Sequence, residues 1–421
     1  MPHTSLAYRV LTSLAVPAVP VLFRDQRQHD AHRGRLGAPA QLEEWARGRR
    51  DPARPLAWFH AASVGEGLQA RAVARALRAA RPEIQLIYTH YSPSAVEFAA
   101  TVGADWHGYL GYDRRADVDR MLAAAKPELL VFTKLDLWPE LAARASARGT
   151  RVAIVAATVS PQSGRLRWPA RQLAMPGYAA LDAAGAIAAD DADRLVLLGC
   201  RPDRIQVTGD PRVDSVLAAI DEADPEPRDP MMLVAGSTWP EDELVVLNAF
   251  ERVCDRHPAA RLIVAPHDPT TGRLQRVAAI ARELGLPEPV RLSMVAAAES
   301  PTITMVDRVG MLARLYGRGS MAYVGGGWGS HGIHSVLEPA ACSCPVVIGP
   351  NDRGSPDATL LEHAGALRRL RAPADGREFA GIWQSWLEQP DTARRSGSAG
   401  RAALESARGA ARKSAAMLLA V

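Results

Sequence analysis

Cysteine is scarce: Cys200, Cys254, Cys342 and Cys344 are the four in 421 residues. Thiols so few and scattered exclude a disulfide framework. Cys342-x-Cys344 has no second pair or histidine cluster to complete a metal site, so packing is its expected role. Lysine is scarcer still. Of 50 basic residues all but Lys126, Lys134 and Lys413 are arginine. That skew reads as base composition, which makes arginine richness poor evidence for nucleic acid. Long apolar runs are also missing. Val10–Phe23 is free of charge, but it has 14 residues interrupted by Pro17 and Pro20, short of the roughly 20 that span a bilayer. Aromatics make up only 5% of the chain, yet 48% is hydrophobic and 23% charged, which excludes a disordered or collagen-like protein and leaves ample material for two or three cores.

What charge there is sits at one end. The first 50 residues hold Arg9, Arg24, Arg27, Arg33, Arg35, Arg47, Arg49 and Arg50 against Asp25, Asp30, Glu43 and Glu44, so the whole net charge of +4 is theirs. An apolar stretch beside such arginines suits the surface of an anionic leaflet. A solvated arm, or a first helix packed on its own domain, fits the same residues.

Past residue 55, short apolar runs alternate with Ala-rich amphipathic stretches. Leu56–His60, Ile84–Thr89, Leu129–Phe132, Val152–Ala156 and Ile205–Val207 read as strands, each followed by a helix. The Pro- and acid-rich segment Asp221–Pro230 reads as a linker. The rhythm then restarts at Met232–Ala235, Arg261–Ala265, Thr302–Val306, Met321–Val324 and Val346–Ile348. Strand–helix alternation implies α/β architecture with parallel sheets. The expected division is an N-terminal apolar and basic interfacial segment at 1–35, a first Rossmann-like domain at 36–220, a linker at 221–230 and a second domain at 231–421 with C-terminal helices. Ligands in such sheets lie at the carboxyl ends of the strands, so chemistry is sought just after each run.

Five segments stand there. In Trp58–Glu66, Ser63 and Gly65 free the backbone in a strand-to-helix turn, and Glu66 falls in the first helical turn, either as a dipole-favoured charge or as a general base. Lys134-Leu-Asp136-Leu-Trp138 interleaves charge with a large aromatic. Lys134, in a chain that otherwise uses arginine, suggests a point charge in a tight site, or a surface ion pair. In Thr208–Asp214, Arg212 could clamp a phosphate or carboxylate, or be held by Asp210 or Asp214. Gly236–Glu243 is a strong helix start with Ser237 or Thr238 as cap, whose hydroxyls and N–H groups could receive a phosphate. The Gly-rich turn Gly325–Pro339 exposes backbone donors and brings His334, and Glu338 one turn later, to one face. It lacks the GxGxxG-plus-acid pattern of dinucleotide binders. His331 and His334 have no further ligands with which to hold a metal.

Together these segments resemble the Kdo transferases, the 3-deoxy-D-manno-octulosonic acid transferases of lipopolysaccharide assembly. The likeness runs from about residue 5 to about 365 and rests on HAASVGE, KLDLWP, TGDPRVD, GSTWPEDE, APH at Ala265–His267, DRVGML with LY at Leu315-Tyr316, VGGG, GIHSVLEPA and PVVIGP. The commoner family form has Glu-x-Glu-Leu-Trp-Pro in place of Lys134-Leu-Asp136-Leu-Trp138-Pro139, and Gly-Gly-His-Asn in place of Gly332-Ile333-His334-Ser335. The resemblance implies a GT-B fold, two Rossmann-like halves facing across a cleft. It implies CMP-Kdo as donor, a lipid A precursor as acceptor, no cofactor or metal, no nucleic acid, and a place at the cytoplasmic face of the inner membrane. Glu66 would be the base. Arg212, Ser237, Thr238, His267, Gly326, Gly327, His334, Ser335 and Glu338 match donor-side positions, and Ser63, Gly65, Lys134 and Asp136 the acceptor side. Two other readings are a GT-B enzyme using another sugar nucleotide, such as a lipid-A-disaccharide synthase or an epimerase, and a non-catalytic lipid-binding homologue.

Overall fold

A computed structural model describes residues 4–19, 25–224, 227–296, 300–330, 332–371 and 373–421. The chain forms two units, Met1–Ser215 with Gly409–Val421, and Val216–Arg408. The first is built on β1 (Leu56–His60), β2 (Gln85–His90), β3 (Trp106–Tyr109), β4 (Leu129–Thr133), β5 (Arg151–Ala157), β6 (Ala183–Ala186) and β7 (Ile205–Val207), in the order β3-β2-β1-β4-β5-β6-β7. Every pairing is parallel. The second holds β8 (Met232–Thr238), β9 (Arg261–Pro266), β10 (Val290–Arg291), β11 (Ile303–Met305), β12 (Met321–Val324), β13 (Val346–Ile348) and β14 (Leu367–Arg369). Its order is β10-β11-β9-β8-β12-β13-β14, again all parallel.

The strand expectation holds at the central strands, which are continuously apolar because both faces of a parallel sheet are covered. In β1, Leu56 and Trp58 pack to one side with Leu42, Trp45 and Leu122. Ala57 and Phe59 pack to the other with Val73 and Leu77. Strands at β3, β6, β10 and β14 are additional to the sequence reading. β6, Ala183-Ala-Gly-Ala186, has no β-branched residue and is a strand only because its neighbours bury it.

Three boundaries differ from the sequence division. The second unit begins inside the helix Pro211–Asp221. Much of the expected linker is tied to the second unit: the Asp229 carboxylate pairs with Arg261 at 2.7 Å, and Arg228 donates to the carbonyl of Cys342. The final helix, Ala410–Leu419, packs on the first unit rather than the second. Its Ala415, Met417 and Leu418 join Val73, Leu77 and Leu86, and Asp214 accepts from the N–H groups of Gly409 and Ala411 at its start.

The N-terminal segment is also not one arm. α1 (Leu6–Ala18) is separate from α2 (Gln26–Arg49), and residues 20–24 lie outside the described residues. α2 belongs to the core. Arg35, counted above with the interfacial arginines, is 3% exposed, lies 3.9 Å from the centre of the Tyr91 ring and donates to the Tyr91 carbonyl. α1 is fastened by two buried carboxylates near the start of the helix Pro139–Ala147. The Tyr8 hydroxyl donates to Asp113 at 2.6 Å, while Thr4 and Arg9 donate to Glu140. Asp113 also accepts the N–H groups of Glu140 and Leu141. α1 leaves Leu6, Val10, Leu11 and Leu14 exposed.

Burial pushes the Asp113 carboxyl up to about 6 against those hydrogen bonds, from its ordinary 3.8. The folded protein then holds this proton more tightly than the unfolded chain, so stability falls as pH rises through the interval and is level above it. Comparing urea unfolding of wild type and Asp113→Asn should show the wild type losing up to about 3 kcal/mol relative to the variant between about pH 4 and 6. Parallel curves over that interval would refute the assignment.

Candidate active site

The parallel sheet of the first unit brings the loops after β1, β2 and β4 to one edge. After β1 the chain turns through Ala61-Ala62-Ser63 into α3 (Val64–Ala80), with Ser63 as its N-cap. The Ser63 N–H and hydroxyl both donate, at 3.0 Å, to one oxygen of Glu66, Oε2. The residue is therefore helix-capping and aimed at once, and its second oxygen accepts no hydrogen bond among the described residues. The amides of Tyr91 and Ser92 donate to the Ala62 carbonyl, which ties the β2 loop to the β1 loop.

After β4, Lys134 takes φ +62, a strained conformation for a residue with a side chain, and is exposed. Its N–H is fixed on the Val155 carbonyl. Two residues on, Asp136 accepts from His60 at 2.8 Å and from the Trp138 indole at 3.1 Å. The other His60 nitrogen meets Thr89. Burial raises the Asp136 carboxyl, but the bonds from His60 and Trp138 and the charges of His60 and Arg165 outweigh it and hold the group below its ordinary range. Tyr91 packs on Trp138 with ring centres 4.9 Å apart.

In the second unit the ends of β8, β9, β12 and β13 interlock. Ser237 has φ +52 at an irregularity in β8. Trp239 caps the helix Pro240–Cys254, its N–H donating to Asp242 at 2.8 Å. Asp242 also accepts from the Gly326 N–H at 2.8 Å and the Tyr323 hydroxyl at 2.6 Å. Trp239, His267 and His334 form a stacked wall, with the two histidine rings 4.3 Å apart. The Trp239 indole, a donor only, reaches Nε2 of His334 at 3.0 Å, which places the imidazole proton on Nδ1. Behind the wall Arg273 bridges buried Glu243 and the Thr238 carbonyl. A Cβ on Gly325 would stand 2.3 Å from the Ser237 carbonyl oxygen, and one on Gly327 would lie 2.7 Å from Gly349. Only glycine lets these strand ends meet.

Several expected residues converge and several do not. Glu66, Ser63, Lys134 and Asp136 share the loop edge of the first sheet. Ser237, Thr238, His267, Gly326, Gly327 and His334 gather at that of the second. Arg212 lies in the first unit, its guanidinium held by Asp210 at 2.5 and 2.7 Å. Gly65 has open space around its missing side chain. The close approach is at Gly67, where a Cβ would meet Phe98 at 2.4 Å. The helix cap expected at Ser237 or Thr238 is Trp239, because β8 runs on to Thr238. Gly326 gives its N–H to Asp242, so what it offers a ligand is room. His334 and Ser335 precede the helix, which begins at Leu337, so Glu338 does not follow them on one helical face. Burial raises its carboxyl. His331 lies outside the described residues. The pair Cys342 and Cys344 is buried, with both thiols pushed up by burial and turned toward backbone carbonyls. Sequence alone did not single out His60, Asp242 or Trp239 as organising residues, although each sits inside a quoted motif.

Removing the Asp242 carboxylate leaves a buried hydroxyl and two buried amides without their acceptor. Asp242→Ala should destabilise by about 2–4 kcal/mol, read by thermal or urea denaturation. A loss below about 0.5 kcal/mol, the range of an ordinary surface change, would mean the three donors do not depend on it.

Residues 32–215 match the family model described as 3-deoxy-D-manno-octulosonic-acid transferase (kdotransferase). The 3-deoxy-D-manno-octulosonic acid transferase of Haemophilus influenzae is 26% identical over 363 residues, 84% of this chain and 84% of that one. The enzyme of the same name from Bordetella pertussis is 28% identical over 358 residues, covering 80% and 81%. In fold, the chain is similar to the UDP-GlcNAc 2-epimerase of Neisseria meningitidis, at TM-score 0.61 and 11% identity over 87% of this chain and 100% of that one. Two all-parallel α/β sheets of this order, with the motifs at their carboxyl ends, are the GT-B fold, and along most of its length the chain is similar to the Kdo transferases, which are glycosyltransferases.

Proposed function

We propose that the protein transfers Kdo from CMP-Kdo to a lipid A precursor by single displacement with inversion, Glu66 acting as the base. The observation that carries this reading is the Glu66 carboxylate itself. It stands at the loop edge of its sheet with Oε2 held by two donors from Ser63. A sugar hydroxyl that gives its proton to Oε1 attacks the anomeric carbon of Kdo as the bond to the CMP phosphate breaks, through an oxocarbenium-like transition state. CMP leaves with the bonding electrons, and the proton stays on Glu66 until released to water.

The donor is an anion and belongs with the second unit. The start of the helix Pro240–Cys254, with Ser237 and Thr238 just before it, suits its phosphate. The Trp239–His267–His334 wall offers a flat surface with polar edges. This reading needs no cofactor, because CMP is already a good leaving group. Arg212, paired with Asp210, reaches the donor only by exchanging that partner. At Lys134 this chain departs on the acceptor side from the commoner family form: an exposed cation stands where that form has glutamate, which suits an anionic group on the acceptor.

The same reading places the protein at the cytoplasmic face of the inner membrane. Among the described residues no helix is long and apolar enough to cross a membrane. α1 instead turns Leu6, at 76% exposed, and Leu14, at 70%, outward together with Val10 and Leu11. A row of this kind beside its polar docking face suits peripheral attachment.

Glu66→Gln should lower kcat for transfer from CMP-Kdo about 10²–10⁴-fold with a melting temperature near that of the wild type, since glutamine still accepts from Ser63. A variant with near-full activity would remove Glu66 as the base. Lys134→Glu should raise the acceptor KM about tenfold, the size of one charge-assisted contact, with kcat little changed. An unchanged acceptor KM would leave Lys134 no part in acceptor binding.

A further inference from the structure

We propose that residues 163–171 form a second membrane-docking element in the first unit, with Trp168 as the anchor and Arg167, flanked by Arg165 and Arg171, as counter-charge to an anionic phospholipid bilayer. This rests on the peripheral membrane reading above but on different residues and a different chemistry.

Residues 158–182, between β5 and β6, contain Arg165, Arg167 and Arg171, and their one carboxylate, Asp182, adjoins β6 and accepts from the Val152 N–H. The segment is built rather than slack. Ser163 caps a short 3-10 turn at Gly164–Leu166, the Arg167 N–H donates to the Gly164 carbonyl, and the Arg171 N–H to that of Arg167. Leu166 turns inward against the core of the unit. Trp168, two residues on, turns outward and is 79% exposed, while Trp45, Trp58, Trp383 and Trp386 are buried. An indole left in water next to arginines, in a segment that has an inward apolar anchor, is the composition of a membrane interface: the ring sits at headgroup depth and the guanidinium meets phosphate. The segment also neighbours α1. The charge of Arg165 acts on Tyr8 of α1, as it does on Asp136 and Tyr178. The exposed leucines of α1 supply apolar area without charge, and residues 163–171 supply charge and an aromatic ring without much apolar area. Two weak signals of unlike kind are what reversible attachment to a bilayer takes.

The experiment is co-sedimentation of the full chain with vesicles of phosphatidylglycerol and phosphatidylcholine, of phosphatidylcholine alone, and of phosphatidylcholine carrying the lipid A precursor. The variants are Trp168→Ala, Arg167→Glu, and Leu11→Ser with Leu14→Ser as the α1 arm. The wild type is expected on the phosphatidylglycerol vesicles and far less on phosphatidylcholine. Trp168→Ala should weaken that binding about tenfold. Arg167→Glu should weaken it by fivefold or more at low salt, with the difference fading at high salt. Trp168→Ala should keep transfer activity on detergent-dispersed acceptor within about twofold, which also shows it folded.

If Trp168→Ala and Arg167→Glu bind like the wild type while the α1 variant fails, this proposal falls and the α1 reading stands. If the wild type binds no vesicle, both fall. Binding only to vesicles carrying the precursor, or lost activity of Trp168→Ala on the dispersed acceptor, would make the segment an acceptor contact and overturn the bilayer assignment.

Discussion

A carboxylate beside the start of a helix, accepting hydrogen bonds from separate segments of the chain, is the constraint on which each half of this protein turns. In the second unit Asp242 takes the Trp239 and Gly326 amides and the Tyr323 hydroxyl. It thereby fixes where β8 gives way to a helix and where the Gly-rich loop leaves β12. Every other member of that site is placed by consequence. The indole follows its own capped amide, and His334 follows the indole. In the first unit the work is divided. Asp113 fixes the start of the helix Pro139–Ala147 and the docking of α1, and Asp136 fixes His60 and Trp138. Such groups cost desolvation energy, and they persist because each accepts from two or three donors.

This arrangement explains how much could be read beforehand. The central strands announce themselves because a parallel sheet covered on both faces demands uninterrupted Val, Leu and Ile, as at Leu129–Phe132 and Val346–Ile348. β6, made of alanine and glycine, gives no such signal, since its strand state comes from its neighbours. Edge strand β3 contains His107 and Gly108 and reads as a loop. The docking of Ala410–Leu419 on the first unit was invisible too. An Ala-rich amphipathic helix states that one face is buried, not against what.

At the site, composition pointed to the right segments but not to the geometry within them. Gly325 to Gly327 reads as a phosphate cradle, because glycine-rich turns free backbone donors. Here two of those amides are spent on the Gly236 carbonyl and Asp242, and the glycines serve close packing of strand ends. Arginine near the N-terminus reads as surface charge, yet Arg35 is inside, stacked on Tyr91, because α2 is a core helix. Acid in the first turn of a helix reads as capping, and at Glu66 capping and aim proved to be the same hydrogen bonds.

The return of residues 409–421 to the first unit has a bearing on how the chain is made. Val73, Leu77 and Leu86 are translated early, and the Ala415, Met417 and Leu418 that cover them come last. The second unit is thus an insertion in the first, and it is complete in sequence before its host is. On the ribosome the first-synthesised sheet waits with one greasy flank open while nearly two hundred residues of another domain are made and folded. The order of completion is the reverse of the order of synthesis, and the exposed interval belongs to the half that carries Glu66.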